Sequence, residues 1–226
     1  PVLVGTRLRG GTANSARGAE SFVAEAITTA RTAGATGLLI ARMDSAFYGG
    51  APIPACRRAA VRFSVTARMD KKITKAIAAI PENAWTPIRY PNAIFDEDEQ
   101  RWISDAEVAE ISYTAFDSNK KHRVTARLIV RRVRRLAPPT QGELLPAWRH
   151  HAIFTDTAEP MLTAEATHRD HAIIEQVIAE LKNGPLAHLP SGVFTANAAW
   201  LACAAIAHNL TRAAAVLAGT QHARTR

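Results

Sequence analysis

Residues 37–66, GLLIARMDSAFYGGAPIPACRRAAVRFSVT, decide the fold. The stretch opens and closes with short apolar runs, residues 37–43 and 61–66, which are bounded by turn residues and are typical of fully buried strands. A short helix is predicted between the two runs, near Pro54, and helical spacing of apolar residues also occurs at residues 18–33 and 71–80. This alternation of strands and helices predicts an α/β layer fold with parallel strand pairs.

The chain changes character in its middle, where the helical period disappears. Four segments alternate like strands: 85–90, 108–116, 122–135 and 148–155. In 122–135, Val124, Ala126, Leu128 and Val130 share one face, and Arg123, Thr125, Arg127 and Arg131 share the other, which predicts an antiparallel strand with one solvated face. Residues 2–9 also predict a strand, and the chain after Pro160 is predicted to be helical. The expected organisation is a core of residues 1–84, a β-rich insertion of residues 85–157, and carboxyl-terminal helices, residues 158–226, that complete the core.

Residues 167–184, THRDHAIIEQVIAELKNG, predict a single helix that ends at Gly184. Helical geometry at about 100° per residue places one polar stripe on this helix, consisting of His168, His171, Glu175 and Lys182. A separate apolar stripe consists of Ile174, Val177, Ile178 and Leu181. The apolar stripe can dock into a core while the polar stripe presents chemistry.

Three side chains are candidates for metal or phosphate binding. Asp44 follows a predicted strand at the sheet edge where ligands bind in open α/β folds, although an exposed acid that caps the next turn would look the same. Glu175 could add an oxygen ligand for a hard cation such as Mg²⁺, or could be a surface glutamate. Lys182 could hold a phosphate as a point charge, or could be favoured by the helix dipole.

Several weaker patterns leave two interpretations open. The spacing of His168 and His171 would suit zinc, but no third soft ligand lies nearby in sequence. The arginines of 122–135 could follow a phosphate backbone, or could form ion pairs with the acidic residues of the preceding strand. The tryptophans of the β-rich segment could stack on bases or pack in a core; they are Trp85, Trp102 and Trp148.

Composition restricts the classes of protein further. The chain has 226 residues and a net charge of +8, which suits a polyanionic partner such as nucleic acid. Its two cysteines, Cys56 and Cys203, indicate neither a disulfide framework nor a zinc motif. Residues 196–219 are apolar but are interrupted by His208, Asn209 and Arg212, so they predict a buried core helix and no membrane contact.

Together, these motifs resemble the DDE transposases of bacterial insertion sequences, and in particular the group whose catalytic core is interrupted by β-strands. The resemblance rests on the order of three features: the Asp44-Ser-Ala-Phe-Tyr-Gly turn, the β-rich segment, and Glu175 followed by Lys182. Residues 57–66, RRAAVRFSVT, and 196–200, ANAAW, are similar as well.

The resemblance implies a ribonuclease-H-like mixed sheet and a catalytic triad of two aspartates and one glutamate that binds Mg²⁺ (or Mn²⁺). It makes Asp44 the second aspartate and Glu175 the glutamate, with Lys182 as a further catalytic residue. His168 and His171 occupy the positions of a family tyrosine and arginine, so they are expected to contact DNA, together with Lys182, Arg123, Arg127 and Arg131.

The first aspartate has no counterpart, because residues 1–43 contain no Asp. The resemblance therefore implies an amino-terminally truncated transposase fragment that is inactive alone, whose intact form cleaves and transfers transposon ends. The expected partners are double-stranded DNA and a second copy of the chain, in the bacterial cytoplasm near the nucleoid. A non-catalytic basic module that binds DNA or dimerises to regulate transposition remains an alternative, as does a small-phosphoester hydrolase.

Overall fold

The computed structural model describes residues 2–14, 16–96, 101–134, 148–170 and 172–219. The described chain forms two compact units, Leu38–Arg169 and the combination of Pro1–Gly37 with Asp170–Arg226. The helices and strands, in chain order, are α1 (Ala19–Thr32), β1 (Ile40–Met43), α2 (Pro52–Arg58), β2 (Arg62–Thr66), α3 (Lys71–Ala78), β3 (Thr86–Asp96), β4 (Arg101–Ala115), β5 (Val124–Arg134), β6 (Trp148–Thr155), α4 (Met161–Arg169), α5 (Ala172–Asn183) and α6 (Phe194–Ala218). Short 3-10 turns lie at Ser45–Phe47 and Glu82–Ala84.

The unit Leu38–Arg169 is built on one six-stranded mixed sheet in the order β1-β2-β6-β5-β4-β3. β1 and β2 are parallel, as predicted, and the other neighbouring pairs are antiparallel. The α/β class is confirmed, and the sheet with its flanking helices is compatible with a ribonuclease-H-like fold. Strands β3 to β6, expected as an insertion, are hydrogen-bonded into the same sheet as β1 and β2 through the β2–β6 pair. The division of the chain at residues 85 and 157 stays a prediction.

The two faces of the sheet are both covered at its centre. Leu128, Ile129 and Val130 follow one another in β5 and are all fully buried. Ile129 packs on one face with Val108, Ile153 and Ala164 of α4, and the other face carries a group of aromatic rings, Phe63, Phe154, Tyr48, Phe116 and Tyr113. The prediction of a half-solvated strand at 122–135 is therefore wrong, because α4 covers the face that the sequence pattern assigned to solvent.

Strand β1 is also less buried than predicted. It lies at the edge of the sheet, pairs only with β2 in the described chain, and is partly exposed along its length. Strand β2 fits the prediction well, because Phe63 and Val65 are completely buried. The apolar run of residues 37–43 thus corresponds to an outermost strand, which in the described chain has a hydrogen-bonded neighbour on one side only.

The unit of Pro1–Gly37 with Asp170–Arg226 is helical where regular structure is described. Residues 2–9 form no strand, contrary to prediction; instead the backbone of Leu3 is fixed by the side chain of Asn209. The Leu3 amide donates to Asn209 Oδ1 at 2.7 Å, and Asn209 Nδ2 donates to the Leu3 carbonyl at 2.8 Å. This amide side chain gives the segment the two hydrogen bonds that a neighbouring strand would otherwise supply.

Helix α6 corrects the prediction of a buried core helix for residues 196–219. Among its residues only Asn197 and Ala204 are buried, and several large apolar side chains are exposed. By length and composition α6 is also long enough to cross a membrane, with a mean hydropathy of 1.4 and 6% of its most apolar stretch buried. A single helix of this kind does not assign a membrane, because the test uses length and composition only and is also passed by signal sequences and by mostly buried core helices of soluble proteins.

Candidate active site

Asp44 stands immediately after β1, at the carboxyl end of a parallel strand pair. Its Oδ1 accepts a hydrogen bond from the amide of Ala46 at 2.9 Å, and the acid caps the 3-10 turn Ser45–Phe47. The side chain is exposed. The cap is compatible with the predicted ligand role, because a carboxylate that accepts one hydrogen bond from the backbone still presents lone pairs to solvent.

The loop after Asp44 is fixed by its contacts with the β4–β5 hairpin. Tyr48 is buried, with its ring centroid 5.1 Å from that of Phe116 and 6.1 Å from that of Phe154. Burial raises the pKa of Tyr48, and the neighbouring Tyr113 raises it further. The phenol therefore stays protonated, and the loop is anchored by a neutral aromatic side chain.

Glu175 and Lys182 both lie on α5, as predicted for one stripe of a helix. Glu175 is in the first turn and Lys182 in the last turn, and both side chains are exposed. On the predicted apolar stripe, Val177 is buried, whereas Ile174 and Ile178 are about half exposed. Glu175 belongs to a different compact unit from Asp44, so a shared metal site is a matter for proposal.

His168 is not on the same helix as Glu175, because the predicted helix 167–184 is divided into α4 and α5. The imidazole is buried against β2: Nδ1 lies 2.7 Å from Ser64 Oγ, and Nε2 lies 3.0 Å from Thr66 Oγ1. Both ring nitrogens thus face hydroxyl groups of the sheet. The expected stripe of four polar residues is wrong for His168, whose position suits packing of α4 rather than contact with DNA. His171 lies outside the described residues.

Two of the three predicted DNA-binding arginines, Arg127 and Arg131 of β5, are bonded within the protein. Arg127 pairs with Glu110 and donates to the carbonyl oxygens of Thr157 and Glu159 at 2.8 and 2.7 Å. Arg131 donates to the hydroxyl of Tyr90 at 2.9 Å and lies 3.8 Å from Glu165. The interpretation of ion pairs between complementary strands is confirmed at Arg127, whose partner Glu110 lies on β4. The acidic partner of Arg131, Glu165, lies on α4 instead, and of the three arginines Arg123 is the exposed one.

The guanidinium group of Arg132, which the sequence patterns did not single out, packs between Trp85 and Trp148. The charge of Arg132 lies 4.2 Å from the ring centroid of Trp85 and 4.3 Å from that of Trp148. Arg132 also pairs with Glu107 and Glu82, and the hydrogen bond from Arg132 lowers the pKa of Glu82. Trp85 and Trp148 therefore pack on a cation, while the side chain of Trp102 lies outside the described part of the chain.

A second group of missed residues is cationic and follows β2. Asp70 caps α3 by accepting hydrogen bonds from the amides of Lys72 and Ile73, both at 2.9 Å. The exposed cations around this cap are Arg68, Lys71, Lys72 and Lys75, of which Lys72 pairs with Asp117. Because β2 is parallel to β1, α3 begins at the same edge of the sheet as Asp44. This cationic group could have been predicted from the basic run RMDKKITK, residues 68–75.

The described residues contain no group of three or more histidine, cysteine, aspartate or glutamate side chains that could hold a metal ion. Asp44 and Glu175 are nevertheless exposed carboxylates, the ligand type that Mg²⁺ prefers, and Mg²⁺ commonly takes one or two carboxylates and completes its shell with water and substrate oxygens. The donor chemistry therefore fits magnesium better than zinc.

Comparison with known families agrees with the arrangement of the chain. Residues 2–226 match the family described as transposase DDE domain, group 1, and the chain belongs to that family. A comparison with curated proteins gave no match. The chain is thus a transposase-type domain, of a family whose substrate is DNA.

Proposed function

We propose that this chain is a transposase catalytic domain in which Asp44 and Glu175 provide carboxylate ligands for Mg²⁺ (or Mn²⁺) at a DNA phosphodiester. The observation that carries the proposal is the family match over residues 2–226, together with an exposed acid at the end of β1 and another at the start of α5. When bound, the metal supplies activation of a water or 3′-hydroxyl and stabilisation of the leaving oxygen.

The residues contribute by position and charge. The hydrogen bond from the Ala46 amide fixes the direction of the Asp44 carboxylate before any ligand arrives. Glu175 lies at the amino-terminal end of α5, where the helix dipole stabilises a negative charge. Lys182 lies at the opposite end of the same helix and would hold a DNA phosphate as a point charge.

The DNA backbone is proposed to run along the exposed cations near the carboxyl ends of β1 and β2 rather than along β5. Arg68, Lys71 and Lys75 are exposed beside the start of α3. The tip of the β4–β5 hairpin adds Lys120, Lys121 and Arg123, which are also exposed. Arg127 and Arg131 are excluded from this surface because their guanidinium groups are bonded inside the unit. The partner is double-stranded DNA in the bacterial cytoplasm.

The 226-residue chain alone is proposed not to cut DNA. Residues 1–43 contain no aspartate, so a triad of two aspartates and a glutamate has only Asp44 and Glu175 in this polypeptide. Cleavage and strand transfer would belong to a protein that also supplies the first aspartate. The net charge of +8 also favours a second candidate, a non-catalytic module that binds DNA and regulates transposition.

Manganese binding in the presence of duplex DNA tests the proposal. We expect Asp44→Asn and Glu175→Gln each to weaken Mn²⁺ binding at least tenfold by electron paramagnetic resonance, whereas Glu180→Gln, on the same helix as Glu175, leaves it unchanged. Equal Mn²⁺ affinity in all four proteins would overturn the metal assignment. A DNA affinity that changes neither on addition of Mn²⁺ nor in the Asp44→Asn variant would favour the non-catalytic module.

The absence of activity is tested separately on supercoiled plasmid. We expect the purified chain with Mg²⁺ or Mn²⁺ to produce no more nicked circles than the Asp44→Asn variant. Metal-dependent nicking by the unaltered chain that disappears in that variant would show that two carboxylates suffice.

A further inference from the structure

Tyr48 ties the turn that follows Asp44 to the interior of its unit. Among residues 44–50, all of which the structure describes, Tyr48 is the one buried residue. The turn itself adds little rigidity, because Ser45–Phe47 is a single 3-10 turn and the strand before it, β1, is partly exposed. The direction of the exposed Asp44 carboxylate therefore depends on how Tyr48 is held.

The ring of Tyr48 packs against Phe116, the residue that follows the end of β4, with 5.1 Å between the two ring centroids. Phe116 has a φ of 56°, in the left-handed region that residues other than glycine rarely adopt. Such a conformation persists where the surrounding contacts hold it in place. The contact between the two rings therefore fixes Tyr48 against a residue whose own backbone is tightly constrained.

The hydroxyl group of Tyr48 is hydrogen-bonded to that of Tyr113. Burial raises the pKa of both phenols, so both keep their protons at neutral pH and the hydrogen bond is retained. Tyr113 lies in β4, where its backbone is paired with Ala126 of β5 and is held by the sheet. Because a hydrogen bond has a preferred direction, it fixes the position of the Tyr48 hydroxyl more narrowly than ring packing does.

Tyr113 is also close to the start of α3. After burial, which is the largest cause, the charges of Asp70, Lys72 and Asp117 shift the pKa of the Tyr113 phenol. Asp70 caps α3, and Lys72 pairs with Asp117, which lies just beyond β4. The tyrosine pair therefore joins the turn that carries Asp44 to the part of the sheet edge where α3 begins.

We infer that Tyr48 and Tyr113 are positioning residues for Asp44, because their hydroxyl pair fixes the turn whose Ala46 amide orients the carboxylate. This role rests on the proposed function of Asp44 as a metal ligand and names the residues that set its geometry. Both phenols act through the turn and not by contact with the metal. A carboxylate that is fixed in advance loses less conformational freedom when it binds a cation, so the cation binds more tightly.

Amide hydrogen exchange by NMR and Mn²⁺ binding by electron paramagnetic resonance test this role. Tyr48→Phe and Tyr113→Phe each remove the hydroxyl pair and keep the ring. We expect each to speed the exchange of the Ala46 amide about fivefold and to weaken Mn²⁺ binding with duplex DNA roughly three- to tenfold, the range for loss of one hydrogen bond. The double variant should be no worse than either single variant, because both substitutions remove the same bond.

Tyr90→Phe is the matched control. Tyr90 is the third tyrosine of the chain, is buried like Tyr48, and also loses a hydroxyl bond, the one from Arg131. It lies under Arg169 of α4, on the other face of the sheet from Tyr48. The control variant should leave Ala46 exchange and Mn²⁺ affinity unchanged, whatever its effect on thermal unfolding.

The exchange measurement needs no metal, so it separates this role from the proposed function. If the unaltered chain binds no Mn²⁺ while Tyr48→Phe still speeds Ala46 exchange, the metal assignment fails and the control of the turn by the tyrosines stands. Unchanged Ala46 exchange in both single variants would overturn the positioning role. Faster exchange with unchanged Mn²⁺ affinity would overturn it too, as would an equal loss of affinity in Tyr90→Phe, which would trace the effect to general stability.

Discussion

The backbone of Gly50 lies directly against the imidazole of His122: a Cβ atom on Gly50 would be 2.5 Å from His122 Nδ1 and 2.8 Å from its Cβ. Gly50 belongs to the loop that follows Asp44, and His122 to the tip of the β4–β5 hairpin. The loop of the candidate site is therefore held by strands that are distant in sequence, and it is held at a point where only glycine fits.

Gly50→Ala should destabilise the protein by about 1–3 kcal/mol, because the near end of the His122 side chain leaves no room for a methyl group. Urea denaturation measures the change. Gly49→Ala is the matched control, since its Cβ would have no neighbour closer than 4.0 Å. The double variant Gly50→Ala with His122→Ala should recover most of the loss, and failure to recover would show that the strain lies elsewhere.

His168→Ala should cost roughly 2–4 kcal/mol of stability and leave DNA affinity unchanged. The substitution opens a cavity between α4 and β2 and removes partners from the hydroxyls of Ser64 and Thr66. Thermal unfolding and fluorescence anisotropy with duplex DNA measure the two effects. Thr167→Ala, at an exposed neighbouring position, is the control. A stable variant with weakened DNA binding would restore the DNA-contact role that the sequence suggested.

Glu82→Gln should lower stability at pH 7 and lose its effect in acid. The hydrogen bond from Arg132 lowers the pKa of Glu82 below its ordinary value of 4.5. A carboxyl group whose pKa is lowered by folding stabilises the protein above its unfolded pKa, and this contribution disappears as the pH falls through the folded pKa. Denaturation from pH 7 to pH 3 measures it, with Asn83→Ala as a control whose effect should not vary with pH. A difference that persists in acid would rule out the ion pair as its cause.

Removing cations at the start of α3 should weaken DNA binding by the same factor whatever the sequence of the DNA. Arg68→Ala, Lys71→Ala and Lys75→Ala should each reduce the slope of log K against log salt by about 0.9, because each is proposed to neutralise one phosphate. Arg127→Ala should reduce stability but leave the slope unchanged, since its guanidinium bonds to Glu110 and two carbonyl groups. The opposite pattern would return the DNA to the β5 surface.

The predictable part of the fold is the part encoded by neighbouring residues. The runs around Phe63 and Ile153 predicted strands, and Asp70 and Pro160 stand where helices begin. The break between α4 and α5 was not predictable, because the helical spacing runs unbroken through residues 167–184. The burial of His168, near the end of α4, was not predictable either. The hydroxyl groups that contact its ring belong to β2, about a hundred positions away in the sequence.

The candidate site divides in the same way. Asp44 could be found because its carboxylate follows a short apolar strand and caps a turn, both local features. The hydrogen-bond partners of the β5 arginines could not be predicted, because they depend on which strand lies beside β5. Glu110 and Ile129 occupy opposite positions in the β4–β5 ladder, which brings the carboxylate next to Arg127. Strand alternation identifies a polar face but does not show what will cover it.

The place of β6 in the sheet has a consequence for how the chain folds. Strands β3, β4 and β5 can form a meander as soon as they are made, and β1 and β2 can pair through α2. These two pieces have no common neighbour until β6 is inserted between β2 and β5. The last strand to leave the ribosome therefore closes the sheet, and such long-range closure favours slow, late folding. Until residue 155 has been synthesised, the edges of β2 and β5 are open, and the nascent chain is exposed to mispairing.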